Sequence, residues 1–367
     1  MKNEKILQII KKLAEKRAPS GIERARGEVF KQEMDIVIGN KSIPIKEDAL
    51  GNFYVKLEGH NAKKSIGIYA HMDEIGGTIR KINKNGRLEF SMRGGYETRW
   101  LISRKIQILN KEGKWINGVI EGRSTHSTPQ ALRNAEKLEI YEQKIYIGAK
   151  DKEEAIDLYK IHVGAPFVFF GTFGLLNPSF NDDIIAGYSL DNLVAVTSLI
   201  VLTEKIVNNL LDDSGVLNKN YNLFIVATSR EEIGTEGALF FSRNNAIDHV
   251  IAIDIGLVAD FSGSVNSGIT LTGGPVIVWQ EQRGAGVFDY NSCKEFARVA
   301  DENKITYQDG VCEYYGSDAG KAQKWLGIPS VLIGIPVMYS HNVPEIGTLS
   351  GIQEGAELVY HYLKNLN

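Results

Sequence analysis

At 367 residues and a formal net charge of -3, the chain can bury one large core or two moderate ones, and it has no basic excess to draw it to nucleic acid. Hydrophobic residues at 43% and charged residues at 24% are ordinary for a globular protein. The two cysteines, Cys293 and Cys312, exclude a disulfide scaffold and a cysteine-rich zinc fold and agree with a reducing compartment.

The first 21 residues are rich in lysine, but charges interrupt their apolar residues, so no signal peptide is expected. No stretch reaches the roughly 18 apolar residues of a membrane span. The expectation is a soluble, cytoplasmic protein. Ile6, Ile9, Ile10 and Leu13 recur at helical spacing, and Pro19-Ser20-Gly21 stops that helix. Ser20 followed by Glu23 reads as a capping box for a second helix reaching about residue 37. Short β-rich runs follow at 42–45 and 52–57, and a compact apolar strand at 66–70 delivers His71.

From about 78 to 173 the texture changes. Short alternating runs at 87–90, 105–109 and 115–120 are separated by glycine, asparagine and charged turns, which predicts a small β-rich insert. One helix-like segment interrupts it near 152–159. After Gly187 helices and strands alternate: a helix at 191–206, strands at 222–228 and 249–253, a helix at 293–303, another after Asp318, a strand at 330–335, and a closing helix at 349–363. That alternation predicts an α/β fold with a mixed central sheet and helices on both faces. The expected division is 1–77 plus 174–367 for this α/β part and 78–173 for the insert.

Four runs place a metal-capable side chain just after an apolar strand. They are His71 and Asp73 in HMDEIG, Glu231 and Glu232 in SREEIG, Asp254 after residues 250–253, and His341 in YSH. Ligands of open α/β sheets bind at the carboxyl ends of the strands, so these side chains are expected to converge. Asp191, opening a helix after Gly187-Tyr188-Ser189-Leu190, is a fifth candidate ligand beside His71, Glu232, Asp254 and His341. Two imidazoles with several carboxylates suit zinc, cobalt or manganese. Five ligands exceed the three of a mononuclear catalytic zinc, whereas two metal ions can use all five if one carboxylate bridges them. Of the adjacent pair, one glutamate can serve as ligand and its neighbour as general base.

These runs resemble those of the tetrahedral, TET-type aminopeptidases, the dinuclear-metal group that includes glutamyl, leucyl and lysyl aminopeptidases. The resemblance runs from Pro19-Ser20-Gly21 through Asp48-Ala49-Leu50-Gly51-Asn52, HMDEIG, SLDN at 189–192, SREEIGTEGA at 229–238, AIDIG at 252–256, GSDAG at 316–320 and YSH at 339–341. It implies a zinc-peptidase type of fold with a β-barrel or PDZ-like insert that serves dimerisation. It implies that His71, Asp191 and Asp254 hold one metal and that Asp191, Glu232 and His341 hold the other. Glu231 would be the general base and acid, and Asp73 would orient the His71 imidazole. It further implies two divalent ions per subunit, zinc ahead of cobalt or manganese, peptide substrates, and dimers assembled into a dodecameric shell. One departure stands out: many members carry aspartate and arginine after the bridging aspartate, where this chain has Asn192 and Leu193.

Blander readings apply elsewhere. His60, His126, His162, His249 and His361 lack a strand-end motif and read as packed or solvated side chains. Asp318 reads equally as a helix cap or a substrate-facing acid. A deacylase or carboxypeptidase using the same centre, and a non-catalytic shell, are the alternatives to an aminopeptidase. An unliganded base beside five ligands counts against the shell.

Overall fold

Four strands whose sequences are almost entirely apolar make the centre of a nine-stranded sheet: Tyr221–Thr228, Lys64–His71, His249–Leu257 and Ser330–Val337, side by side and parallel. Unbroken apolar runs suit strands covered on both faces, and every residue of Ser330–Val337 is buried. The computed structural model describes residues 1–124, 126–130, 139–258 and 268–366. On one side Phe53–Leu57 and Ile45–Glu47 extend the sheet antiparallel. On the other, Val276–Glu281 joins antiparallel and carries Gln308–Cys312 and Gly286–Val287. The sheet is therefore mixed.

Helix Leu190–Asn209 packs on the central strands and against helices Leu349–Asn365, Arg24–Ile38 and Asn3–Ala14. Sixteen of its residues are buried, which explains why its pattern is apolar all round and not amphipathic. Asp318–Leu326 and Glu236–Asn244 form a second pair that also reaches the central strands. Asn3–Ala14 shows the opposite sequence pattern, with Ile6, Ile9, Ile10 and Leu13 buried on one stripe and lysines on the other.

The chain divides into two compact units. The first comprises Met1–Asp73, Phe173–Ser340 and Pro344–Asn367, and the second Glu74–Thr172 with His341–Val343. The second unit is a closed antiparallel barrel, in the order Gly76–Ile82, Leu88–Arg93, Ile145–Tyr146, Trp115–Ile120, Lys105–Leu109 and Pro166–Phe169. Closure leaves no exposed sheet edge. Alternate residues such as Ile106, Ile108, Phe90 and Phe167 fill its interior, the period of two that the sequence displays. Helix Lys152–Asp157 is capped by Asp151, whose carboxylate accepts from Glu154 N–H at 2.8 Å. Such a cap is worth about 1 kcal/mol.

Two local expectations give way. The run at 42–45 is not a strand; pairing starts at Ile45, opposite Val55, and continues to Glu47. The Ser20–Glu23 capping box does not form, and helix Arg24–Ile38 begins without a side-chain cap. The Ser20 hydroxyl donates instead to Asp73 Oδ2 at 2.6 Å. A buried carboxylate outbids a helix terminus for a donor, because its desolvation is the costlier of the two to leave unmet.

Candidate metal centre

Strand register brings the first donors together. His71 pairs with Thr228 across one parallel ladder, and Ala252 pairs with Tyr69 across the next. Two residues on from Ala252, Asp254 comes level with His71 on the same face, since side chains alternate with a period of two. His71 Nε2 lies 3.8 Å from Asp254 Oδ1. Asp191, at the start of helix Leu190–Asn209, closes on the same nitrogen, with Oδ1 3.1 Å from it. Glu232, in the turn after Thr228, completes the group. His71, Asp191 and Glu232 each offer a donor atom, all within 4.8 Å of one another. Glu231 Oε2 lies 4.0 Å from the same imidazole nitrogen.

Asp73 acts as a clasp. Its carboxylate accepts from the backbone N–H of Glu231 at 2.9 Å and of Glu232 at 3.1 Å, besides the Ser20 hydroxyl. Its own carbonyl oxygen is 3.2 Å from His71 Nδ1, and its Oδ1 is 3.4 Å away. A proton on Nδ1 leaves the Nε2 lone pair on the Asp191 side, free to ligate a cation. One carboxylate thus fixes both the ring and the acidic turn. Asp191 is secured from two sides, its N–H donating to Glu345 at 3.2 Å and its Oδ2 accepting from Ser340 at 3.0 Å. Arg230 and Ser189, beside these residues, sit at φ 57° and 60°, left-handed conformations that non-glycine residues adopt at some cost.

The electrostatics are those of a site crowded with acid. Burial pushes the Glu231 and Asp254 carboxyls well above their usual range. The charge of His71 opposes that rise without cancelling it. Burial alone would depress His71, but the carboxylates of Asp191 and Asp73, with the charges of Asp254 and Glu231, hold it well above its ordinary value. Burial likewise would raise Asp73, yet His71, Ser20 and the Glu231 N–H keep it low. Asp318, whose Oδ2 accepts from the Thr228 hydroxyl at 2.5 Å, is pushed up to about 6 by burial. Buried charges in proteins are paired or coordinate metals. Carboxylates that outnumber the imidazole they surround, with an aligned nitrogen, fit a divalent cation of the zinc, cobalt or manganese kind.

Of the seven residues singled out from sequence, six converge here within the first unit. His341 belongs to the short segment counted with the second unit, where it lines a small pocket with Trp100, Arg104 and Phe169. The backbone there is also left-handed, with Tyr339 at φ 61° and His341 at φ 62°. Sequence reasoning missed Glu345, Ser340 as a partner of Asp191, and Ser20 as a partner of Asp73. Ser20 and Ser340 did lie inside noted motifs, but a side-chain partner 53 or 149 residues away leaves no local signal.

Among the described residues no helix is long and apolar enough to cross a membrane. The profile of the M42 glutamyl aminopeptidase family matches residues 51–358. A relative from Acetivibrio thermocellus, provisionally named an aminopeptidase, is 27% identical over 361 residues, 98% of each chain. The fold is similar to that of aminopeptidase APDkam598 from Desulfurococcus kamchatkensis, with a TM-score of 0.86 at 25% identity over 100% of this chain and 96% of that one. It is also similar to the TET1 peptidase of Pyrococcus horikoshii, with a TM-score of 0.80 at 26% identity over 97% and 98% of the two chains. The mixed sheet and the closed barrel fit these likenesses, and this chain belongs to the M42 glutamyl aminopeptidase family.

Proposed function

We propose that the protein hydrolyses the first peptide bond of peptides and that His71, Asp191, Glu232, Asp254 and His341 would hold two divalent ions, with Asp191 as the ligand common to both. The observation that carries this is the group of His71, Asp191 and Glu232 donors within 4.8 Å, with Asp254 beside it. When bound, such ions polarise the scissile carbonyl and acidify water. Glu231 stands beside the donors, 12% exposed and adjacent in sequence to Glu232. Its role is to take the proton of the attacking water and hand it to the departing amine. Asp73 holds the His71 tautomer and the height of the Glu231-Glu232 turn, as carboxylates behind liganding imidazoles do. Zinc is the preferred ion, because imidazole with carboxylate suits it, and cobalt or manganese are the alternatives.

The same reading extends to assembly and location. The TET1 peptidase of Pyrococcus horikoshii can assemble into a tetrahedron or a large octahedral shell. By that likeness this chain would self-associate through the second unit into dimers and then a dodecamer. Both cysteines are free, which supports a cytoplasmic setting.

The test is metal content together with cleavage of a panel of aminoacyl-p-nitroanilides, before and after chelation and metal add-back. About two ions per chain, with chelator-sensitive cleavage of free-amine substrates, is the expected result. Metal without such cleavage, but with hydrolysis of N-acyl substrates, would replace the aminopeptidase by a deacylase.

A further inference from the structure

Three buried tyrosines show how such a hydroxyl is ordinarily met. Tyr69 meets Ser242 Oγ at 2.8 Å, Tyr188 donates to the Ala14 carbonyl at 2.5 Å, and Tyr221 donates to the Leu363 carbonyl at 2.8 Å. The hydroxyl of Tyr315 is buried and has no hydrogen-bond partner among the described residues. A buried hydroxyl without a partner is uncommon and calls for an explanation.

Its surroundings supply one. Tyr315 lies in the loop between strand Gln308–Cys312 and helix Asp318–Leu326. Its carbonyl accepts from Arg283 N–H at 2.9 Å, and Gln282 N–H donates to the Cys312 carbonyl at 3.0 Å. Glu281 ties the same two segments together, its Oε1 accepting from Ala285 N–H at 3.1 Å and Ser317 N–H at 3.2 Å. Gly284 and Gly320 make room for that carboxylate, since a Cβ on either would stand 1.4 or 1.5 Å from Oε1. Downstream, Ser317 caps the helix by accepting from Gly320 N–H at 3.2 Å, and Asp318 is anchored to Thr228 in the His71 layer of the sheet. The phenol is therefore carried on a pinned loop. Asp254, Asp191, Glu281 and Glu231 are the charged groups near enough to act on it, and a phenol keeps its proton at neutral pH, so it is available as a donor.

We propose that Tyr315 is a substrate-contacting residue, its hydroxyl donating a hydrogen bond to the oxygen of the scissile carbonyl as that oxygen gains negative charge. A donor fixed in place before the reaction acts without reorganising when the charge develops. The assignment rests on the aminopeptidase reading above and adds a residue that no metal-binding run contains.

Tyr315→Phe removes the hydroxyl and keeps the ring. Three properties are to be compared with the wild type: kcat and KM on an aminoacyl-p-nitroanilide, inhibition by an aminoalkylphosphonic acid of matching side chain, and bound metal with thermal midpoint. The expected result is a kcat lower by about 10²–10³-fold with KM nearly unchanged. The tetrahedral, anionic phosphonate should weaken by a similar factor, while metal content and midpoint stay those of the wild type. An unchanged kcat, or a loss of metal that accounts for the loss of activity, overturns the assignment alone. A wild type that cleaves no free-amine substrate overturns it together with the reading it rests on.

Discussion

Glu33 and Glu231 are both acids taken out of water, and the chain treats them in opposite ways. At Glu33, Lys5 and Lys12 reach across from helix Asn3–Ala14 at 3.2 and 2.6 Å. Burial would raise that carboxyl, but the two lysines outweigh it and hold it below its ordinary value. At Glu231 burial prevails, Glu232, Asp254 and Asp318 add to it, and His71 does not restore the balance. The first acid is a joint between two helices and is neutralised from within the sequence. The second sits where the fold gathers like charge at strand ends, an arrangement that stabilises nothing unless a cation arrives. The contrast separates an acid balanced by its own chain from one left uncompensated more cleanly than exposure does, since both are largely withdrawn from water.

The comparison breaks first at Glu231. Glu231→Gln is expected to keep its metal and lose about 10²–10⁴-fold in kcat on aminoacyl-p-nitroanilides; full activity with both ions bound would end its role as base. Away from both acids, Leu199→Ala, at a fully buried position of helix Leu190–Asn209, should cost about 2–5 kcal/mol in denaturant unfolding. It should do so without a change in metal affinity, so a joint loss would mean that the core and the site are not separable.

Glu281 offers a third kind of buried acid, bonded to two N–H groups yet pushed up to about 7 by burial, with Lys321 pulling weakly the other way. Its folded state holds the proton more tightly than the unfolded one does. Its contribution is full below an ordinary carboxyl value of 4.5 and is lost as pH rises through about 7, a fall of about 3 kcal/mol. Glu281→Gln should flatten stability over that window, read from unfolding midpoints at pH 5 and pH 8. An unaltered pH slope would show that Glu281 does not titrate there.

Glu33 should behave with the opposite sign and a smaller size. Its depressed folded value makes its contribution present at neutral pH and lost as pH falls below its ordinary 4.5. Glu33→Gln should therefore cost about 1–2 kcal/mol at pH 7 and almost nothing near pH 3. The loss is modest because Lys5 and Lys12 are themselves 38% and 53% exposed and can return to water. A larger cost at pH 3 than at pH 7 would reverse the reading of this joint.

Periodicity carried much of the fold. The strands Lys105–Leu109 and Trp115–Ile120 and the stripe of helix Asn3–Ala14 are legible because each alternates or repeats against a polar face. Helix Glu236–Asn244 and strand Val276–Glu281 escaped notice. The helix is short, its burial confined to Gly237, Ala238, Phe241 and Ser242, and the strand draws its order from Gly334 to Leu332 of its neighbour. The false capping box had the right letters and lost its serine to Asp73. At the site, the residue types and their places after apolar strands were legible, whereas Glu345 gives no sign in sequence that it receives the Asp191 N–H.

The sequence by itself determined an α/β chain with a β-rich insert and a set of metal-capable side chains placed where strands end, because periodicity and local motifs are properties of neighbouring residues. Only the tertiary structure decided that Asp254 stands level with His71, that Asp73 clasps both the imidazole and the Glu231-Glu232 turn, and that Tyr315 keeps a buried hydroxyl without a partner among the described residues. Those facts depend on strand register and on loops pinned by residues far apart in the chain, and the free energy of such contacts is set by which groups are buried together.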